Sequence, residues 1–408
     1  MSREKSNSNI YYLGYIPFNW NVQKYKSFAD TRMGETILAS NTYENGIPVY
    51  SATQEDKIFG YVNECNIKLK KGDLVIPARG NSIGCVSMIK EDVATCTQTT
   101  ICSYNIRNIN PKFLYFSILG LNNEWYKYDG SAIPQITVEQ VKNCYLAVPP
   151  LSEQDMIVNY LDNKVSKISD TIKNNKKEIE LLEEYKWTRI NELLKYGFNN
   201  DTTNTKISYI KKVAKNWKIA KLGRIFEIKK DIAGKEGYEV LSITQNGIKV
   251  KDIQSNEGQL AADYSKYQLV EIGDFAMNHM DLLTGWVDCS KYNGVTSPDY
   301  RVFRNKNIKK YDSKFYLYFL QLCYKYKIFY NMGQGVSNLG RWRLPKENFL
   351  NTIIPVPSYN EQVEIRKYID EIVTKIDDII NYRKQIIEKL EEYKKSLIYE
   401  AVTGKIEV

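Results

Sequence analysis

Residues 148–186, VPPLSEQDMIVNYLDNKVSKISDTIKNNKKEIELLEEYK, and residues 356–394, VPSYNEQVEIRKYIDEIVTKIDDIINYRKQIIEKLEEYK, align without a gap at an offset of 208, and 20 of the 39 positions are identical. A repeat of this strength decides the architecture before any local reading, because each copy must form the same unit. The identities include Glu153/Glu361, Gln154/Gln362, Ile157/Ile365, Asp162/Asp370 and Ile168/Ile376. A heptad seam runs through Val165, Ile168, Ile172, Asn175, Ile179, Leu182, Lys186 and Arg189, and again through Val373, Ile376, Ile380, Arg383, Ile387, Leu390, Lys394 and Leu397. Such spacing predicts two helices. Prolines 149, 150 and 357 stop the preceding strands, Ser152 or Asn360 offers an N-cap oxygen, and neither glycine nor proline recurs before Gly197 and Gly404. Each helix should run about 43 residues, or about 64 Å. So narrow an apolar stripe needs a partner, and two copies of equal length predict an antiparallel coiled coil inside one chain, with pseudo-twofold symmetry. Asn175 and Arg383 share a seam position, so pairing should bring them together as a polar layer that sets register.

Upstream of each copy lies a weaker match whose offset drifts from 197 to 208. Asn19-Trp20 answers Asn216-Trp217, Gly72-Asp73 answers Gly273-Asp274, and Lys112-Phe113 answers Lys314-Phe315. Short alternating runs at 46–50, 68–76, 83–89 and 240–243 predict strands, and 111–119 and 313–326 predict helices. The fold class expected is α+β. Two similar mixed modules, 1–150 and 215–357, alternate with helices at 151–196 and 358–408; a linker and entry segment occupies 197–214, of which 197–205 is polar and patternless.

A length of 408 residues suggests two or three domains, and no run of apolar residues is long enough to span a bilayer. The polar first nine residues lack an apolar leader, so the expected location is cytoplasmic. Seven cysteines, scattered without a CxxC pair, fit neither a disulfide framework nor a zinc site, and a single histidine, His279, disfavours most hydrolytic or phosphotransfer chemistry. The net charge is +9, yet residues 153–195 and 361–400 together carry −3, so the remainder carries +12 beside abundant tyrosine. That balance suits a phosphate backbone, although codon bias toward Lys, Asn, Ile and Tyr produces it too.

No Walker loop and no methyltransferase signature occurs, since Val148-Pro149-Pro150-Leu151 lacks the flanks a catalytic Pro-Pro motif needs. What remains are polar loop residues: Ser51, Gln54, Arg79, Asn81, Ser82, Gln98, Thr99, Ser131 and Gln135 in the first module, and Asn278, Ser297, Asp299, Gln334, Ser337, Asn338 and Arg341 in the second. Arg can read guanine, Asn or Gln adenine, and Ser either, while the same residues also populate ordinary turns.

The closing stretch Ser396-Leu-Ile-Tyr-Glu-Ala-Val-Thr-Gly-Lys-Ile-Glu-Val408, the Pro-Pro-Leu-Ser-Glu-Gln that opens the first helix with its echo at Glu361-Gln362, and Pro17-x-x-Trp20 resemble the specificity subunit of type I restriction-modification systems. The resemblance implies two target recognition domains, each reading half of a split double-stranded DNA target. It also implies modification subunits, expected in two copies, that bring S-adenosylmethionine, and restriction subunits that bring ATP and Mg. This chain itself would hold no cofactor or metal and would not be catalytic. One departure is that the first helix ends in Leu194-Lys195-Tyr196-Gly197 where the second has Val402-Thr403-Gly404-Lys405. Other readings of the same residues are a methylation-only or other multi-subunit DNA-modification system, a methyltransferase or nuclease fused to its recognition domain, and a coiled-coil scaffold that binds no DNA. If the helices are a ruler, one heptad inserted into each at matched positions should lengthen the preferred target spacer by about three base pairs, from about 10.5 Å of added helix. Methylation of targets whose spacers grow one pair at a time checks this, and an unchanged optimum contradicts it.

Overall fold

The computed structural model describes residues 3–53, 57–121, 125, 135–199, 201–252, 263–335 and 342–408. The chain divides into two compact units, Met1–Lys177 with Arg383–Val408, and Glu178–Tyr382. In the first, strands β1 (Asp30–Met33), β2 (Leu74–Pro77), β3 (Ser87–Met88) and β4 (Thr100–Tyr104) form an antiparallel sheet in the order β1-β4-β2-β3. Helix α1 (Pro111–Gly120) follows, and the long helix α2 (Leu151–Tyr196) leaves from the end of the strand Tyr145–Val148. The second unit repeats this plan. Strands β5 (Phe226–Ile228), β6 (Phe275–Met277), β7 (Val287–Cys289) and β8 (Arg301–Asn305) take the same order, β5-β8-β6-β7, before helix α3 (Ser313–Lys325) and the long helix α4 (Tyr359–Val402).

Several expectations drawn from the sequence need correction. The run at 68–76 is a strand only from Leu74, and that at 83–89 only at Ser87–Met88, because Gly72 and Gly84, both at positive φ, turn the chain. Residues 202–205 are not linker. They begin the strand Thr202–Ile207, which pairs with Ile210–Ala214, whose Ile210, Val213 and Ala214 are buried, so three buried apolar residues hold a threonine-rich strand. Helix α4 is capped by Ser358 rather than Asn360: Glu361 N donates to Ser358 Oγ (3.4 Å), and Ser358 N donates back to Glu361 Oε2 (3.0 Å), a reciprocal capping box. Ser152 likewise lies inside α2, whose position before the first turn is Pro150. Proline has neither hydroxyl nor N–H, so Glu153 turns instead to Arg3 and the Trp20 indole.

The duplicated Glu-Gln pair has duplicated partners. Trp20 Nε1 donates to Glu153 at 3.0 Å and Trp217 Nε1 to Glu361 at 3.3 Å. Gln154 accepts the Asn110 N–H (2.8 Å) and donates to Pro149 O (2.9 Å); Gln362 accepts the Asp312 N–H (2.8 Å) and donates to Pro357 O (2.9 Å). The far helix ends also correspond despite their unlike sequences. Gly197 and Gly404 both take positive φ, the left-handed conformation that terminates a helix. A Cβ on Gly197 would lie 2.7 Å from the Trp217 ring, and one on Gly404 would overlap Pro17 and lie 3.3 Å from Trp20. The departure in the ending of the first helix therefore leaves its docking intact.

Each long helix serves both cores. Ile157, Leu161, Ile168 and Ile172 of α2 join Leu397, Ile398, Ala401 and Val402 of α4 in the core of the first unit. Ile190, Leu193 and Leu194 of α2 join Ile365 and Ile369 of α4 in the phenylalanine-rich core of the second. Within each unit the helices run antiparallel. In the first, Arg383 Nη1 donates to Asn175 Oδ1 (2.8 Å) and Lys394 Nζ to Ser169 Oγ (3.0 Å); in the second, Lys186 Nζ reaches Asp377 (2.8 Å). Replacing Gln154 or Gln362 by Ala strands a part-buried N–H and a buried carbonyl, the latter worth about 1–3 kcal/mol. Urea unfolding should show either variant destabilised by at least that much, and a neutral result would remove the clamp from the account.

Candidate nucleic-acid interface

The chemistry-bearing loops of each module gather at one end of its sheet. In the first sheet β2 ends where β4 begins, with Pro77 opposite Thr100, so the segment after β2 and the segment before β4 share an edge. Tyr50 pairs with Cys96 in an adjoining parallel ladder, which brings Ser51 to the same edge. Ser51 Oγ lies 2.9 Å from Thr97 Oγ1, which lies 2.8 Å from Thr99 Oγ1, and Ser82 Oγ donates to Ala52 O (3.0 Å). Gln98 accepts from Thr36 Oγ1 (2.9 Å), and Arg79 forms an isolated antiparallel bridge with Gln135. Ser51, Arg79, Ser82, Gln98, Thr99 and Gln135 thus form one cluster, with Arg79, Gln98 and Gln135 exposed. Ser51 and Thr99 spend their hydroxyls on a buried threonine, which makes them supports for that edge more than free readers. Asn81 lies in the turn Gly80–Ser82. Gln54, Ser131, Ser337, Asn338 and Arg341 lie outside the described residues.

The second sheet presents the same edge, with Met277 at the end of β6 opposite Arg301 at the start of β8. Asn278 follows β6, and its Oδ1 accepts from Met280 N (3.2 Å), while Ser297 Oγ accepts from Asp299 N (3.2 Å) in the turn that leads into β8. Gln334 forms an antiparallel bridge with Arg343.

Two further residues, Arg301 and His279, lie beneath this edge. Arg301 is buried, at 6% exposure, where the matching ladder position of the first sheet holds Ile101. Its Nη2 donates to Leu344 O (2.8 Å) and its guanidinium stacks 5.1 Å from the Phe349 ring, yet Nη1 has no hydrogen-bond partner among the described residues. Burial lowers its pKa to about 10. His279, equally buried, has no hydrogen-bond partner for Nδ1 among the described residues, and burial together with the nearby Arg301 and Arg343 lowers its pKa to about 3. It is a neutral buried side chain. Arg343 itself is exposed. The repeat could have found it: 208 residues before Arg343 stands Gln135.

Known proteins share this layout. The family model described as type I restriction modification DNA specificity domain matches residues 17–181 and again 214–392. The type I restriction enzyme MjaVIII specificity subunit of Methanocaldococcus jannaschii is 24% identical, over 96% of this chain and 94% of that protein. A putative type I restriction enzyme MjaX specificity subunit of the same organism is 23% identical, over 97% and 96%. A chain solved in work on complex assembly and conformational transition of the type I R-M system superposes with a TM-score of 0.68 at 14% identity, covering 96% of this chain and 99% of that one. At that identity the superposition speaks for the fold alone.

The His279 environment makes a pH prediction. Its folded value, about 3, lies below the ordinary 6.5, so the unfolded chain binds the proton first. The contribution to stability is complete above the unfolded value and is lost as pH falls from there toward 3, at about 1.4 kcal/mol per pH unit. From pH 7 to pH 5 the second unit should lose about 2 kcal/mol by this route. His279→Leu should abolish that loss in urea unfolding at the two pH values, and an equal loss in the variant would contradict the assignment.

Proposed function

Because the chain belongs to the type I restriction-modification DNA specificity family, with one copy of the domain in each half, we propose that each module reads one half of a bipartite double-stranded DNA target. The observation that carries this is the repeated sheet order, which sets chemically unlike loops at the same edge of both modules. One scaffold with two different reading edges is what a split, asymmetric target requires. The +12 charge outside the helices supplies the sequence-independent attraction to phosphate. The matched residues of the two long helices offer equivalent surfaces, including the ion pairs Lys112–Asp162 and Lys314–Asp370, to two copies of a modification subunit. Restriction subunits would join the same assembly.

In this reading the chain contributes recognition and no catalysis. S-adenosylmethionine, ATP and Mg belong to the partner subunits, and the complex works in the cytoplasm. No described helix is long and apolar enough to cross a membrane. The loop residues Arg79, Gln98 and Gln135, with Asn278, Asp299 and Gln334, are the proposed contacts. Asn81 joins them, as do Gln54, Ser131, Ser337, Asn338 and Arg341. Ser51, Ser82, Thr99 and Ser297 would support their edges. The test is exchange of residues 1–150 for the corresponding module of another specificity subunit. One half of the methylated target should change and the other persist; change in both halves, or in neither, would sink the division of labour.

A further inference from the structure

Arg343 is an exposed residue on an unusually well-held backbone. Its N–H donates to Gln334 O (3.0 Å) and its carbonyl accepts from Gln334 N (2.9 Å). The next residue, Leu344, donates its N–H to His279 O (2.9 Å) and accepts Arg301 Nη2 at its carbonyl (2.8 Å). Four hydrogen bonds therefore fix the chain at and just beyond Arg343 while its side chain remains in solvent. In the first module Gln135 stands at the matching place. Ile136 N–H donates to Ala78 O (2.9 Å), as Leu344 does to His279 O, and both residues lead directly into a short helix, Val138–Asn143 or Lys346–Asn351. Gln135 is exposed too.

Building on the DNA-reading function above, we propose that positions 343 and 135 are matched base-reading stations, Arg343 reading a guanine in the second module's half-site and Gln135 an adenine in the first module's. The guanidinium fork fits guanine O6 and N7, and the carboxamide fits adenine N6 and N7. A phosphate contact gives no reason for the two modules to differ, since the backbone is alike in both half-sites and both Arg and Gln can donate to it. The neutral amide at 135 and the guanidinium at 343 instead follow what differs between half-sites, the bases. Rigid support serves the same end, because base readout depends on placing two donors or acceptors at once. The second module adds one side-chain bond that the first lacks: Arg301, at the position held by Ile101, reaches Leu344 O, while His279 contributes its carbonyl as Ala78 does.

The experiment uses the chain assembled with its modification subunits, selecting methylated targets from random-sequence DNA. Arg343→Gln should relax one guanine position of the second half-site or turn it toward adenine, with discrimination falling roughly 10- to 100-fold and the first half-site unchanged. Gln135→Arg should make the converse change in the first half-site alone. Arg343→Lys, which keeps the charge but loses the fork, should weaken the guanine preference while binding at low salt persists. Both side chains are exposed, so the melting temperatures should match wild type. Equal weakening on every sequence, with the salt slope reduced by about one, would make Arg343 a phosphate contact and overturn the proposal. Unchanged preference in either single variant would overturn it as well. A wild-type complex that selects no bipartite sequence defeats the DNA-reading function itself; a selective wild type with indifferent variants defeats only the stations.

Discussion

Three segments of chain converge on one buried carboxamide at the start of each long helix. Gln154, at 1% exposure, joins the strand end at Pro149 to the N–H of Asn110, and Gln362, equally buried, joins Pro357 to Asp312. Asn110 and Asp312 are themselves the caps of α1 and α3, their side chains accepting from the first-turn N–H groups. The neighbouring glutamates hold Trp20 and Trp217, against which the far ends of α4 and α2 terminate. Glutamine supplies one acceptor and one donor at the required reach: glutamate would lack the donor, and leucine would leave a buried carbonyl and a part-buried N–H unmet. The repeat has kept this dipeptide because sheet, cap and helix are all positioned through it.

The seam between the helices follows a different logic. Its fully buried apolar residues lie where the helices enter a core: Leu161, Leu397 and Ile398 in the first unit, and Leu193, Leu194 and Ile365 in the second. Toward the middle the seam becomes polar, with Asn175 at 7% exposure accepting from Arg383. Asn175 also donates back to Thr171 O, so its amide is used on both sides. An apolar pair there would bury more surface, but it would also tolerate a slip by one heptad. Slippage would leave the Asn175 carbonyl without its donor, and that cost fixes the register.

The long elements were legible because the repeat and the heptad spacing reinforce each other over tens of residues. The strands were less so: those of the two central sheets are two to five residues long, too short for alternation to show, and Leu74–Pro77 is buried throughout. The capping error has a specific cause. Ser152 and Asn360 are good capping residues by type, but the reciprocal bond with Glu361 selects Ser358, a residue with no counterpart hydroxyl in the first copy. The reading edge was legible as chemistry and not as geometry. Exposed polar loop residues could be chosen by type, whereas Arg301 sits in a strand, and Arg343 stands out only when the repeat is carried forward to Gln135.

That asymmetry between modules bears on how new specificities arise on a fixed scaffold. Replacing apolar positions by His279 and Arg301 is unfavourable in isolation, since a buried guanidinium without a carboxylate loses hydration that one carbonyl bond only partly restores. The second unit tolerates it because its core is built of phenylalanines 226, 275, 303, 315, 319, 329 and 349, and Arg301 stacks on the last of these. The first unit keeps that layer apolar, with Ala78 and Ile101, and presents a neutral amide above it. The layer below the edge thus differs along with the exposed residue above it: Arg301 braces the segment that carries Arg343, where the first unit has an apolar Ile101 beneath the edge that carries Gln135.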